Sequence, residues 1–377
     1  MTDNAFYASL GLTPAVNANG KMTALGGSRP SDATLAAMAE AARGHVVMDD
    51  LLTAAGRELA EAAGTEDACP TTGAAAGIAL AVAGLVAGTD LARIERLPDP
   101  GGRPNEVILP KGHAVHFGAP LVQMIALGGG RAVEAGAVNK VRRAHLEAAI
   151  GPRTAALLYV QSHHAVRTGT VTLAETVATG RAHGIPVVVD AAAEEDLRAW
   201  PATGADLVIY SGGKALGGPT SGFVCGRADL IAACRAQYAG IGRPMKVGKE
   251  TVAGLVQAVR AYGARDPAKA AGTAAEQHAR MTGLAARLGT LPGIRADVVR
   301  DEAGRHIHRA LLTVDPEGAG RDAETLAAEL AAGTPPVFLR GHHAAEGRLA
   351  VDPRALTAEE EELLVRRLTA LLTGAPA

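Results

Sequence analysis

An excess of charge of one sign is missing from this 377-residue sequence. It has 37 Lys and Arg residues against 39 Asp and Glu residues, which gives a formal net charge of -2. No run of five or six basic residues occurs that would bind along a phosphate backbone. The composition therefore disfavours a nucleic-acid partner.

Cysteine is scarce as well. Cys69, Cys225 and Cys234 are too few for a disulfide framework, which predicts a reducing, cytoplasmic compartment. The first residues lack the basic and apolar regions of a secretory signal. The stretch 69–89 is uncharged and about long enough to span a bilayer, but its Ala, Gly and Thr content predicts a helix buried in protein.

Aromatic residues make up only 3% of the chain, whereas hydrophobic residues make up 48%. Short apolar runs alternate with helix-length segments, a pattern that predicts βαβ units and a mostly parallel sheet. Because these runs are continuously hydrophobic, we expect both faces of the sheet to be covered. The predicted strands are 107–109, 155–160, 186–190 and 205–210, and the predicted helices include 138–150 and 173–183.

The sequence pattern changes after about residue 250, where long Ala-rich and charged helical stretches surround shorter apolar runs. Strands are predicted at 308–314, 336–339 and 348–351, and a capping box that starts at Thr357 begins a last helix, 357–372. We therefore predict an α/β fold with an N-terminal arm and first helix (1–45), a large domain (46–250) and a small α/β C-terminal domain (251–377).

A lysine lies in a glycine-rich turn directly after the last predicted strand of the large domain. The turn begins Ser211-Gly-Gly-Lys214, and open α/β sheets bind ligands at such carboxyl ends of strands. A phosphate-binding loop of the NTPase type is excluded, because Val208 and Ala215 replace residues which that loop requires. A solvated surface lysine is one interpretation. A desolvated amine between glycines is also the nucleophile of Schiff-base chemistry, for which pyridoxal phosphate is the obvious aldehyde.

Two further requirements of that cofactor occur in the expected order. Asp190 ends a predicted strand and could pair with the pyridine nitrogen, although capping of the next helix is an alternative. Thr72 and Gly73 begin an Ala-rich helix, where free N–H groups and the helix dipole favour a phosphate group. Ser211 could add a hydroxyl group. Together these residues predict a pyridoxal-phosphate site.

With these residues, the sequence resembles the selenocysteine synthase-like group of fold-type I pyridoxal-phosphate enzymes. The resemblance runs along most of the chain, and within the group it is closer to the ammonia lyases than to the selenium transferases. It begins within the first twenty or so residues, which leaves no room for the module that grips transfer RNA in the transferases. The motifs that carry it are Asn17-Ala-Asn-Gly-Lys-Met22, Thr72-Gly-Ala-Ala, Gln161-Ser-His-His164, Val189-Asp-Ala191, Ser211-Gly-Gly-Lys214 and Gly242–Lys249.

The resemblance implies a role for the matching residues. Lys214 would hold the cofactor and then act as the catalytic base, with Asp190 as the partner of the ring nitrogen. A ring-stacking histidine is expected after the second strand, either His113 or His116. The full set of implied cofactor-binding residues is Thr72, Gly73, Ala74, His113, Ser162, Asp190, Ser211 and Lys214.

Candidate substrate-binding residues are less constrained by the sequence. Arg340 follows a predicted strand and could bind a carboxylate, as small-domain arginines do in fold-type I enzymes, or be an ordinary surface arginine. His163 ends another strand segment, where helix capping is the alternative role. Further cations in family-like stretches could bind a second phosphate on the substrate or lie at a subunit interface; these are Arg29, Arg243, Lys246 and Lys249. The paired histidines match no metal-binding pattern.

The implied reaction is the α,β-elimination of a β-hydroxy amino acid or amino sugar acid to a 2-keto acid and ammonia. D-glucosaminate-6-phosphate is the substrate that the resemblance suggests, and a homodimer or larger homo-oligomer is the expected assembly. A racemase, aldolase or β-replacement enzyme on the same scaffold is one alternative. A non-catalytic ligand-binding homologue is another.

Overall fold

Buried apolar runs form the central sheet at the positions that the sequence predicts. The computed structural model describes residues 4–162, 164–265, 267–301 and 306–375, with the side chains of 267–273 left out. Two compact units are present, Ser28–Ala264 and Met1–Gly27 with Arg265–Ala377. The domain boundaries after residues 45 and 250 stay predictions.

The strands of the described residues are β1 (Val16–Ala18), β2 (Asp67–Thr71), β3 (Glu106–Pro110), β4 (Arg131–Ala135), β5 (Thr154–Val160), β6 (Val187–Asp190), β7 (Leu207–Ser211), β8 (Gly222–Gly226), β9 (Ile294–Arg300), β10 (His308–Val314), β11 (Val337–His343) and β12 (Arg348–Val351).

The helices are α1 (Ala5–Ser9), α2 (Asp32–Arg43), α3 (Met48–Ala63), α4 (Ala74–Ala87), α5 (Leu91–Arg96), α6 (Leu121–Leu127), α7 (Arg143–Ala149), α8 (Leu173–His183), α9 (Ala228–Ala236), α10 (Lys249–Gly263), α11 (Pro267–Leu288), α12 (Pro316–Ala319), α13 (Ala323–Ala332) and α14 (Ala358–Thr373).

A mostly parallel sheet forms the centre of the Ser28–Ala264 unit. Its strand order is β2-β8-β7-β6-β5-β3-β4, and the pairs from β7 to β4 are parallel. The strand β8 pairs antiparallel with both of its neighbours. Because parallel strands share one direction, the carboxyl ends of β3, β5, β6 and β7 lie at the same edge of the sheet. The predicted α/β fold class is thereby confirmed.

Both faces of this sheet are covered, as continuous hydrophobicity predicts. Along β5, Leu157 and Tyr159 belong to one apolar core, whereas Leu158 and Val160 belong to the other. Side chains alternate between the faces of a strand, so these two clusters lie on opposite sides of the sheet. The helix α4 packs into the second cluster.

The predicted helix 69–89 is wrong in its first part, because Cys69 to Thr71 belong to β2. Pro70 interrupts the helical pattern and is tolerated in this strand, since β2 lies at the edge of the sheet and proline has no N–H to donate. The helix α4 itself has 14 residues. Across the described ranges, no helix is long and apolar enough to cross a membrane.

The second unit contains its own sheet, in the order β1-β11-β12-β10-β9. The short β1 comes from the N-terminal segment and pairs parallel with β11, Val16 opposite Val337. Buried Arg309 binds Asp301 (2.7 Å) and Asp352 (2.9 Å), and the backbone N–H of Asp352 donates to Ala18 (2.8 Å). These contacts attach the N-terminal segment to the C-terminal sheet. The capping box at Thr357 is present at the start of α14.

Candidate functional site

Asp190 ends one strand at the carboxyl edge of the large sheet, and Lys214 follows the neighbouring parallel strand. Asp190 is the last residue of β6 and pairs with Ile209 of β7, whose end precedes the Lys214 turn. Asp190 is 6% exposed. Burial raises the pKa of its carboxyl group, and the Lys214 charge and the N–H of Ala192 oppose that rise. The structure thus brings the two predicted catalytic residues within electrostatic reach of each other.

The turn that carries Lys214 is held by the backbone around it. Gly212 exchanges hydrogen bonds with its surroundings, donating to the Ser221 carbonyl (2.8 Å) and accepting from Gly218 (2.8 Å). The Ser28 hydroxyl donates to the Gly213 carbonyl at 2.7 Å. A Cβ atom on Gly212 would lie 2.1 Å from the Ser221 hydroxyl oxygen and 2.8 Å from a methyl carbon of Leu255, so a larger residue here would displace buried side chains. The glycines before Lys214 therefore fix the direction of the turn.

The start of α4 lies beside the same edge of the sheet. The first N–H groups of a helix have no intrahelical acceptor, and the N-cap of α4, Gly73, makes no side-chain capping hydrogen bond to them. A Cβ atom on Gly222 would lie 2.7 Å from Gly73 and 2.9 Å from Ala74, which shows how closely β8 approaches this end. Ser211 is paired with Gly222 across β7 and β8. Gly73, Ala74 and Ser211 are thereby brought together.

Thr72 and Ser162 lie in the same unit with their hydroxyl groups already engaged. The Thr72 hydroxyl donates to the Met245 carbonyl at 3.3 Å, which places the Arg243–Met245 turn next to the start of α4. The Ser162 hydroxyl, after the end of β5, accepts from the N–H of His164 at 3.2 Å. Arg243 begins that turn and is exposed, and its role in substrate binding stays a prediction.

His113 has a different environment from the one that a stacking role requires. Its ring has no accessible surface, its Nδ1 accepts from the N–H of Val160 (3.1 Å), and it packs edge-on against Tyr159. Burial lowers the pKa of His113 to about 4, opposed by the Val166 backbone and reinforced by the Arg167 charge. His113 thus offers no accessible ring surface for stacking in this structure, whereas the side chain of the alternative, His116, is exposed. Which of the two stacks on the cofactor stays a prediction.

Two of the predicted substrate-binding residues do not belong to the described part of the Ser28–Ala264 unit. His163 lies outside the described residues. Arg340 lies within β11, in the other compact unit, and not after the end of a strand as predicted. Its role in substrate binding stays a prediction. Among the described residues, no group of three or more His, Cys, Asp or Glu side chains could hold a metal ion.

The residues present fit pyridoxal phosphate. Asp190 accepts one hydrogen bond, from the Ala192 N–H to Oδ1 (3.1 Å), and its Oδ2 accepts none from the described residues, so an acceptor remains for a protonated ring nitrogen. The uncapped start of α4 offers N–H donors to a phosphate group. Lys214 lies in the turn after the neighbouring strand, where an amine is required.

Sequence reasoning missed Arg167, in the loop after β5. With the Gln161 amide oriented to satisfy both side chains, its oxygen accepts from Nη1 (2.8 Å) and Nη2 (3.0 Å) of Arg167. Gln161 is 5% exposed and its backbone N–H donates to the Asp190 carbonyl at 2.8 Å. The family-like motif included Gln161, but a single arginine in a polar loop carries no periodic signal that would single it out.

Comparison with known proteins identifies the family. The family described as "SelA: L-seryl-tRNA selenium transferase" matches residues 16–275. A 5'-C-glycyluridine monooxygenase-decarboxylase from Streptomyces sp is 59% identical, over 98% of this chain and 93% of that protein. The D-glucosaminate-6-phosphate ammonia lyase of Salmonella typhimurium is 43% identical, over 98% of both chains.

A solved structure of a D-glucosaminate-6-phosphate ammonia lyase covers all of both chains, with a TM-score of 0.91 and 42% identity. Other fold-type I pyridoxal-phosphate enzymes, at 15% and 20% identity, share the fold alone. These matches confirm the resemblance on which the sequence prediction rests. The chain is therefore an enzyme of the SelA-like family of fold-type I pyridoxal-phosphate enzymes, homologous along its full length to an ammonia lyase.

Proposed function

We propose that this protein is a pyridoxal-phosphate-dependent ammonia lyase for a β-hydroxy amino acid or amino sugar acid, with D-glucosaminate-6-phosphate as the candidate substrate. The observation that carries the proposal is the buried carboxyl of Asp190 within electrostatic reach of Lys214 at the carboxyl edge of the sheet. The full-length identity of 43% to a lyase of that specificity supports it.

Each residue has a definite task in this proposal. The N–H groups at the start of α4, with Ser211, bind the cofactor phosphate, and Asp190 accepts from the ring nitrogen. When bound, the cofactor supplies an electron sink for the carbanion at the substrate Cα atom. Lys214 would hold the cofactor through its amine, and its Nζ, when free, would take the proton from the substrate Cα atom. The β-hydroxyl leaves with a proton as water, and hydrolysis gives the 2-keto acid and ammonia.

A second candidate reaction follows from the relative that is 59% identical. Its name denotes an oxidation with loss of carbon dioxide from a glycyl group attached to uridine. Both substrates carry an α-amino acid group, the group on which Lys214 and Asp190 are proposed to act. The same residues therefore suit either reaction, and the fate of the substrate decides between them.

The experiment uses both substrates with and without oxygen. The purified protein is incubated with D-glucosaminate-6-phosphate or with 5'-C-glycyluridine, and ammonia, 2-keto acid and carbon dioxide are measured. Oxygen-independent release of ammonia and keto acid from the first substrate would establish the lyase. Oxygen-dependent carbon dioxide from the second would establish the alternative instead. Lys214→Ala is the control, and no product is expected from it.

The cofactor has a separate test that does not depend on turnover. A yellow protein that borohydride bleaches, with the label mapped to Lys214 by mass spectrometry, is expected. A wild-type protein that stays colourless with added pyridoxal phosphate and carries no labelled lysine would remove the cofactor assignment.

We also infer a homodimer or larger homo-oligomer in the cytoplasm, with a small-molecule substrate and neither a nucleic-acid nor a membrane partner. Exposed apolar side chains near the N-terminus support the contact between copies: Phe6 is 68%, Leu10 59% and Leu12 56% exposed. Light scattering on the purified protein tests the assembly, and a monomeric mass would contradict it.

A further inference from the structure

Arg167 is an exposed arginine held by a buried side chain at the edge of the sheet that carries the proposed catalytic residues. Gln161 follows the last residue of β5, and its backbone N–H binds the carbonyl of Asp190 (2.8 Å). The Gln161 side-chain oxygen lies between Nη1 and Nη2 of Arg167, at 2.8 and 3.0 Å. One buried residue therefore links the Asp190 backbone to the Arg167 guanidinium.

The loop that carries Arg167 is also held by backbone contacts on both sides of this residue. The N–H of Val166 donates to the carbonyl of Gly112 (3.0 Å), and the N–H of Val141 donates to the carbonyl of Gly169 (2.9 Å). A Cβ atom on Gly112 would lie 2.7 Å from Val166, and one on Gly169 would lie 2.5 Å from the Asn139 carbonyl. The residues on both sides of Arg167 are thus packed against loops that follow β3 and β4.

The remaining donors of Arg167 face no protein partner among the described residues. A guanidinium has five N–H donors. The Gln161 oxygen accepts from Nη1 and Nη2, so the N–H groups on the side formed by Nε and one Nη remain for another acceptor. No carboxylate of the described residues lies within ion-pair distance of Arg167. Its charge is felt inside the protein, where it lowers the pKa of His113 and limits the rise in the pKa of Tyr159. An exposed guanidinium that a buried side chain holds in place can bind a planar or tetrahedral oxyanion through two parallel hydrogen bonds.

We propose that Arg167, positioned by Gln161, binds an oxyanion of the substrate. This inference rests on the proposed function for its choice of substrates, and it deepens that function by naming the residue that recognises the charge. Carboxylate and phosphate offer the same pairs of oxygen acceptors to a guanidinium, and D-glucosaminate-6-phosphate carries both. The shared chemistry is a charge-assisted, two-point contact with anionic oxygens.

The test measures dissociation constants by calorimetry on the protein as purified, for D-glucosaminate and for D-glucosaminate-6-phosphate. We expect Arg167→Ala to weaken binding by roughly 10- to 100-fold, the range for one charge-assisted contact. An equal loss for both ligands assigns Arg167 to the carboxylate, and a loss for the phosphorylated ligand alone assigns it to the phosphate. Arg167→Lys keeps the positive charge but lacks the planar guanidinium that makes two parallel hydrogen bonds, so it should lose part of the affinity.

Two controls separate recognition from support of the loop. Arg93→Ala removes another exposed arginine, on α5 after the far end of α4, and should leave both dissociation constants unchanged. Added guanidinium ion should restore part of the affinity of Arg167→Ala, which a purely structural role would not allow. Binding by Arg167→Ala within about twofold of wild type, or failure of guanidinium to restore a lost affinity, would overturn the proposal.

The outcome is distinguishable from that of the proposed function. A wild-type protein that binds both ligands but releases no ammonia removes the lyase assignment and leaves the Arg167 comparison intact. A wild-type protein that turns over D-glucosaminate-6-phosphate with an unchanged KM in Arg167→Ala removes the Arg167 proposal alone. Wild-type protein that binds neither ligand also counts against Arg167 as their recognition residue.

Discussion

At Asp190, burial favours an uncharged carboxyl group, whereas a protonated cofactor ring would pair with a charged one. Its carboxyl group is buried, which raises its pKa, and only the Lys214 charge and one backbone N–H oppose that rise. A carboxyl whose pKa rises on folding stabilises the fold below the unfolded pKa, and that stability is lost as pH rises through the folded pKa. Once the pH exceeds the folded pKa, the ionised Asp190 therefore lowers the free energy of unfolding of the cofactor-free protein.

We accordingly predict that Asp190→Asn raises the melting temperature of the cofactor-free protein at neutral pH, by about 2–4 °C for each 1 kcal/mol gained. The amide keeps an acceptor for the Ala192 N–H but removes the charge. The difference from wild type should shrink as pH falls through the raised pKa of the folded carboxyl, and it should be absent below about pH 4, the usual value for an unfolded aspartate. Turnover should fall strongly, because Asn cannot hold a protonated ring nitrogen by charge. A variant that melts below wild type at every pH would contradict this account.

At the same scale, the sequence predicted some site residues and not others for a physical reason. Asp190 ends a strand and Lys214 lies just after one, and strand ends can be located from apolar runs. The environment of His113 and the position of Arg167 depend instead on how loops pack, through contacts such as Gly112 against Val166. Such contacts join residues far apart in the chain and leave no local pattern. Arg167 could therefore be recognised only from the structure.

At the scale of elements, the phosphate-binding candidate depends on how closely β8 approaches the start of α4. A Cβ atom on Gly222 would lie 2.6 Å from the Tyr210 carbonyl and 2.7 Å from Gly73. Both neighbours are backbone, so neither can turn away as a side chain would. The close approach brings the start of α4 next to Gly222, which pairs with Ser211.

We predict that Gly222→Ala lowers the free energy of unfolding by about 1–3 kcal/mol, as overpacking does, and weakens binding of pyridoxal phosphate. Chemical denaturation and titration of the visible absorbance measure the two effects. Gly151→Ala is the matched control, because a Cβ atom there would meet nothing within 4 Å, and it should change neither quantity. Equal stability and cofactor affinity in Gly222→Ala and wild type would show that this approach is not needed.

The elements that were predicted correctly share strong local signals. β5, β6 and β7 are continuous apolar runs, and α8 and α14 begin with capping boxes at Thr172 and Thr357. In contrast, β1 has only three residues and forms by pairing with β11, more than 300 positions away. The boundary between β2 and α4 was missed because both lie within one uncharged, small-residue stretch. Pairing between distant segments decides such elements, and no window of sequence contains it.

At the scale of the whole molecule, the proposed cofactor acts as a ligand of the folded state. A ligand that binds only the folded protein adds about 2.7 kcal/mol to the free energy of unfolding at 100 times its Kd. The phosphate contacts at α4, the Asp190 pair and Lys214 all belong to the Ser28–Ala264 unit. The stabilisation should therefore be seen in the unfolding of this unit.

We predict that pyridoxal phosphate at this concentration raises the melting temperature of the cofactor-free protein by roughly 5–10 °C. Pyridoxal without its phosphate should give a smaller shift, because the N–H groups at the start of α4 lose their anion. Lys214→Ala should keep part of the shift, since the phosphate and Asp190 contacts remain. Equal shifts from pyridoxal and pyridoxal phosphate would contradict the phosphate role of α4, and no shift from either would contradict the cofactor itself. The three comparisons thus separate the covalent, phosphate and ring contributions within one set of thermal melts.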